Sequence, residues 1–162
     1  MIVIDQSGSM DLDRETLTQL VRRAPDSLVV GYSHRPGDSG VTPNAWILAD
    51  RGGVVADPPN GNVGNGVDGP ILRWALRHRG VGDPVIWVTD GQVTDSADHP
   101  DLDLARECAR LVRDNRITMV RSLDEVFVTL RGRRRRQVWA DFGRVGRAIR
   151  ELSTEVHHWP PG

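Results

Sequence analysis

Short runs in which nearly every residue is apolar constrain this chain more than any other feature. They are Ile2-Val3-Ile4, residues 27–32 (SLVVGY), residues 84–89 (PVIWVT) and residues 117–120 (ITMV). A strand apolar at consecutive positions is buried on both faces, so something must cover the sheet from both sides. The intervening stretches supply the cover. Leu17, Leu20 and Val21 recur at helical spacing on a segment that starts at about Asp13 and stops at Pro25. Pro70 opens a second helix whose Ile71, Leu72, Ala75 and Leu76 face inward, and Leu104, Cys108, Leu111 and Val112 mark a third. Strands alternating with helices predict an α/β fold with an open, mostly parallel sheet covered on both faces.

Other segments refine that expectation. The Gly/Pro-rich stretch 34–43 is too short for a helical crossover. The strand at 27–32 and the next at 45–48, extended through Val54-Val55, are therefore expected to be antiparallel neighbours. Residues 58–69 (PPNGNVGNGVDG) must form a loop. Ser122-Leu123-Asp124-Glu125 reads as a capping box opening a short helix through Leu130. Val138, Phe142, Val145, Ile149 and Leu152 form an apolar stripe on a last helix. These elements make one domain over residues 1–155, with 156–162 as a frayed tail.

The 162 residues suit a single domain, and a chain of this size buries roughly two-thirds of its unfolded surface. A net charge of −1 argues against a general polyanion binder. No stretch approaches the roughly 20 apolar residues of a membrane span. Met1 leads straight into a strand, without the basic start or cleavage site of a signal peptide, and the single Cys108 has no internal partner. A reducing cytoplasm is the expected compartment. The same start leaves open that the chain is a piece of a longer protein, in which case the argument about secretion loses force.

In doubly wound sheets, ligands sit beyond the carboxyl ends of the strands, where the strand order reverses. Asp5-Gln6-Ser7-Gly8-Ser9-Met10 follows the first strand, and Asp90-Gly91-Gln92 follows the strand at 84–89. Together they offer two carboxylates and two hydroxyls, all hard oxygen donors. Such a set suits Mg²⁺ or Mn²⁺, less tightly Ca²⁺, and not zinc. A turn through Gly8 can bring the Ser7 and Ser9 hydroxyls round to the carboxylate of Asp5.

Asp-x-Ser-x-Ser after an apolar strand, with Thr89-Asp90-Gly91 after a later one, resembles the metal-ion-dependent adhesion site of von Willebrand factor A (vWA) domains. The element order over nearly the whole chain is similar to that family too. The resemblance implies a Rossmann-like three-layer fold, its central sheet mostly parallel with one antiparallel edge strand. It implies that Asp5, Ser7 and Ser9 hold the metal, with Asp90 as the later Asp. It also implies that the metal keeps a position open for an Asp or Glu of a protein partner. The middle loop departs from the family. Val67 stands where a Thr would contribute an oxygen, leaving Asp68 or Asn65 as substitutes. A carboxylate there would tighten the bare metal and reduce its attraction for a partner's carboxylate.

Plainer readings compete at each position. Asp5, Ser7 and Ser9 fit a strand-end turn whose Ser residues cap the next helix, and Asp90-Gly91 is itself a common turn. Asp68, just before Pro70, fits a helix N-cap. Asp95, Asp98, Asp101 and Asp103 make a solvated acidic loop with one helix cap, or a second cation site; His99 within it is expected to be exposed. Arg131, Arg133, Arg134, Arg135 and Arg136 read as an exposed hinge before the last helix, or as a contact for RNA or an acidic partner surface. Trp46, Trp74, Trp87 and Trp139 are expected in the core.

Catalysis is not expected. There is no Gly-x-Ser-x-Gly elbow, no Lys for a phosphate-binding loop, and no His or Lys near Ser7 and Ser9 in sequence to act as a base. The expected function is metal-dependent binding of a protein. The alternative is a scaffold or ribonucleoprotein subunit that works through its arginine block, with a merely structural metal.

Overall fold

A computed structural model describes residues 1–7, 10, 12–33, 45–58, 67–95, 97 and 99–133, without the side chains of 132 and 133. The strands are β1 (Ile2–Asp5), β2 (Val29–Tyr32), β3 (Ala45–Asp50), β4 (Gly53–Val54), β5 (Ile86–Val88) and β6 (Thr118–Val120). The helices are α1 (Arg14–Arg23), α2 (Asp68–His78), α3 (Leu102–Asn115) and α4 (Leu123–Arg133). The sheet order is β4-β3-β2-β1-β5-β6.

β1 lies at the centre, parallel to β2 on one side and to β5 on the other, and β5 pairs in parallel with β6. β2 and β3 are antiparallel, as the short connection between them requires. The expected extension of β3 through Val54-Val55 is instead a separate strand. Arg51 (φ 49°) and Gly52 (φ 76°) turn the chain back so that Asp50 faces Gly53. Two successive positive-φ residues make the tight hairpin turn whose twist matches its strands.

Alternation along β1 sorts the core into two layers. Ile2 and Ile4 pack on one face with Leu17, Leu20, Val21, Val126 and Phe127, beneath α1 and α4. Val3 packs on the other with Val30, Tyr32, Ile71, Leu72, Trp74 and Trp87, beneath α2 and α3. Trp46, Trp74 and Trp87 are buried as expected, while Trp139 lies outside the described residues. Gly31 leaves no room for a side chain. A Cβ there would come within 2.9 Å of the Trp46 indole nitrogen and 3.0 Å of the Leu48 side chain.

α1 and α3 begin where local chemistry directs. Asp13 caps α1 by accepting from Thr16 N–H, and Asp101 caps α3 by accepting from Asp103 and Leu104. α3 opens on an exposed Leu102 and fully buries Cys108 alone, leaving Leu104, Leu111 and Val112 half-buried rather than in the core. α4 outruns its expected end at Leu130 by one turn. Ser122 accepts from Glu125 N–H as a capping box requires, but Glu125 reaches back to Arg121 N–H rather than to Ser122. The stripe expected at residues 138–152 and the tail lie outside the described residues.

Candidate metal centre

Strand order reverses at β1. The chain moves outward from it through β2, β3 and β4, then returns to the other side with β5 and β6. The carboxyl ends of β1 and β5 therefore lie side by side, with Ile4 opposite Val88. Asp5 ends β1, and Thr89 and Asp90 follow β5 directly, so both sequence signals emerge at one edge, at the switch point where such sheets bind ligands.

Asp5 is 4% exposed. Its Oδ1 accepts from Ser7 N–H at 2.8 Å, and the hydroxyls of Ser7 and Thr89 also bond to the carboxylate. Burial pushes the Asp5 carboxyl up to about 6; the Ser7 and Thr89 hydrogen bonds oppose this, and repulsion from Asp90 adds to it. Ser7 is buried as well, and its carbonyl accepts from Met10 N–H at 2.9 Å. Ser9, the other hydroxyl of the motif, lies outside the described residues. Asp90 is half-buried, with Oδ1 accepting from Gln92 N–H at 2.9 Å.

Asp68 does not cap α2. Val67 occupies the N-cap position and makes no side-chain cap bond, while Asp68 is the first helical residue and only 2% exposed. Its Oδ1 accepts from the Tyr32 hydroxyl at 2.5 Å, and that hydroxyl accepts from Trp87 Nε1 at 2.8 Å. Its Oδ2 is buried and has no hydrogen-bond partner among the described residues. Burial pushes Asp68 up to about 7; the Tyr32 bond opposes this, and repulsion from Asp5 and Asp90 adds to it. Burial also raises the Tyr32 phenol, with repulsion from Asp68 and Asp5 adding, so its O–H stays available as a donor. The sequence reading missed Tyr32, gave Trp87 only a core role and quoted Thr89 only as part of the Thr89-Asp90-Gly91 motif. The usable signal was a Tyr at a strand end, since a buried phenol requires a polar partner.

Three carboxylates from β1, the segment after β5 and the start of α2 thus act on one another. Among the described residues, no Arg or His is paired with Asp5 or Asp68, and no three carboxylate, imidazole or thiol groups stand together as a metal set. A cation at this edge would need hydroxyl oxygen beside the carboxylates. Ser7 offers one, and the unpartnered Oδ2 of Asp68 offers a further hard donor. This donor chemistry fits Mg²⁺, Mn²⁺ or Ca²⁺.

The remaining candidates lie elsewhere. In the acidic loop, Asp95 accepts from the N–H groups of Ala97 and His99, and Asp101 is spent on the α3 cap. Asp103 is exposed, as is His99, and Asp98 lies outside the described residues. Arg131 is exposed on α4 and lines a cavity of about 330 Å³ with Arg23, Phe127 and Leu130, where the Arg23 guanidinium lies 4.1 Å above the Phe127 ring. That cavity is on the α1/α4 side, away from Tyr32 and Asp68. Arg134, Arg135, Arg136 and Asn65 lie outside the described residues, as does the side chain of Arg133. Burial pushes the Cys108 thiol up to about 12, far from the thiolate that a nucleophile or soft-metal ligand needs. No described helix is long and apolar enough to cross a membrane. No protein-family model, curated protein or solved structure is significantly similar to the chain.

Proposed function

We propose that this chain is a non-catalytic, divalent-metal-dependent protein-binding module of the vWA type. Asp5, Ser7 and Ser9 hold Mg²⁺ or Mn²⁺ with Asp90 at or one water from the ion, and an Asp or Glu of a partner protein completes its shell. The observation that carries this reading is the pair of buried carboxylates, Asp5 and Asp68, at the switch point of the sheet, with no basic side chain among the described residues to neutralise them. Buried ionised groups are normally paired or bound to metal. The doubly wound order, with β3 reversed beside a short outer strand, accords with the three-layer fold the motif implies. A divalent ion there would supply an electrophilic contact for a partner's carboxylate. Ser7 bonds to Asp5 rather than to an imidazole, which fits a donor better than a nucleophile.

The immobilised protein should capture a partner from lysate in Mg²⁺ and lose it in EDTA or on Asp5→Ala, with only mild sensitivity to salt. Capture that survives EDTA and Asp5→Ala but falls steeply with salt would replace this reading with binding through the Arg131–Arg136 block.

A further inference from the structure

Asp68 is the feature that ordinary helix chemistry does not explain. An acidic residue in a first helical turn is favoured by the helix dipole, but an exposed Asp would serve equally well. Here the residue is 2% exposed, and one carboxylate oxygen has no partner among the described residues. Neither protonation state resolves this. An ionised Oδ2 needs a donor or a cation, and a protonated one needs an acceptor for its O–H. Leaving such a group unsatisfied in a buried site is unfavourable. The other oxygen is fixed from across the sheet. Tyr32 comes from the end of β2 and donates to Oδ1, while Trp87 of β5 donates to the Tyr32 hydroxyl and fixes its orientation.

We infer that Asp68 is itself a ligand of the cation proposed above, through the oxygen that meets no donor among the described residues, and that Tyr32, oriented by Trp87, is the residue that positions it. The inference rests on that metal reading and extends it. Asp68 takes over the role that Val67 leaves vacant, but with a carboxylate instead of a neutral hydroxyl. Asp5 and Asp68 together neutralise a dication. The ion is therefore bound before any partner arrives, and a partner's carboxylate gains less from it than it would at a site with one carboxylate ligand.

The test is a calorimetric titration of Mn²⁺ into the EDTA-stripped full chain near neutral pH, for wild type, Asp5→Asn, Asp68→Asn, Tyr32→Phe and the Asp68→Asn/Tyr32→Phe double variant. Asp68→Asn should weaken Mn²⁺ at least as much as Tyr32→Phe, and Tyr32→Phe by roughly tenfold, the low end for groups that orient a metal ligand. In the Asp68→Asn background, Tyr32→Phe should have no further effect, because its influence runs through the lost carboxylate. Should Asp68→Asn not fold, Asp68→Thr takes its place with the same expectation. Wild-type affinity in Asp68→Asn, with binding lost in Asp5→Asn, would overturn the inference and leave the metal reading intact. An equal loss from Tyr32→Phe in both backgrounds would overturn the positioning role. Wild-type affinity in Asp5→Asn would instead sink the metal reading itself.

Discussion

Two acidic regions of this molecule behave in opposite ways. In the loop before α3, Asp95 and Asp101 are held by backbone N–H groups at or near the surface, each accepting two such bonds. At the switch point, Asp5 and Asp68 are buried, repel one another, and leave one oxygen without a partner among the described residues. The first region has more acidic residues and fewer reasons to hold a cation. Acid density is a poor guide to a metal site, whereas burial without compensation is a better one, because it marks a free-energy cost that a cation would relieve.

The largest expected contrast is with pH. The folded-state values of Asp5 and Asp68, about 6 and about 7, lie above their ordinary 3.8. The metal-free folded chain therefore holds more protons than the unfolded chain across the window between those values, and its stability falls as pH rises through that window. Urea unfolding in EDTA should show a loss on the order of 2 kcal/mol or more between about pH 5 and about pH 8. Asp68→Asn should flatten much of that slope. A metal-free stability that rises over this window would remove the contrast.

The cap of α3 tests the other region. Asp101→Ala should cost about 1 kcal/mol, through two lost backbone bonds, and should leave Mn²⁺ affinity unchanged. Asp95→Ala removes bonds within a surface loop and should cost less still, under about 1 kcal/mol by the same measurement. An effect of either substitution on metal binding would show that the acidic loop belongs to the site.

The sequence reveals what is local or periodic. Leu17, Leu20 and Val21 define α1, the apolar runs define β1, β2, β5 and β6, and the switch-point rule places Asp5 beside the segment after β5. It misleads where a contact spans the sheet. Asp68 reads as a cap because Asp ahead of Pro70 is a usual helix opening, and nothing nearby announces the Tyr32 hydroxyl that takes hold of it. The Arg51-Gly52 reversal is missed because Arg seldom adopts positive φ, so only the Gly signals a turn. Along α3 the spacing of Leu104, Leu111 and Val112 finds the inner face but not its depth, since that depends on how close the helix lies to an edge of the sheet.

The account depends on a single cation drawing together oxygens that the fold has buried at the end of β1 and the start of α2. The most direct test is calorimetric titration of Mg²⁺ and Mn²⁺ into metal-free wild type, Asp5→Asn and Asp101→Ala. Saturable binding in wild type and Asp101→Ala, absent in Asp5→Asn, is the predicted result. Equal heats from all three proteins would contradict it.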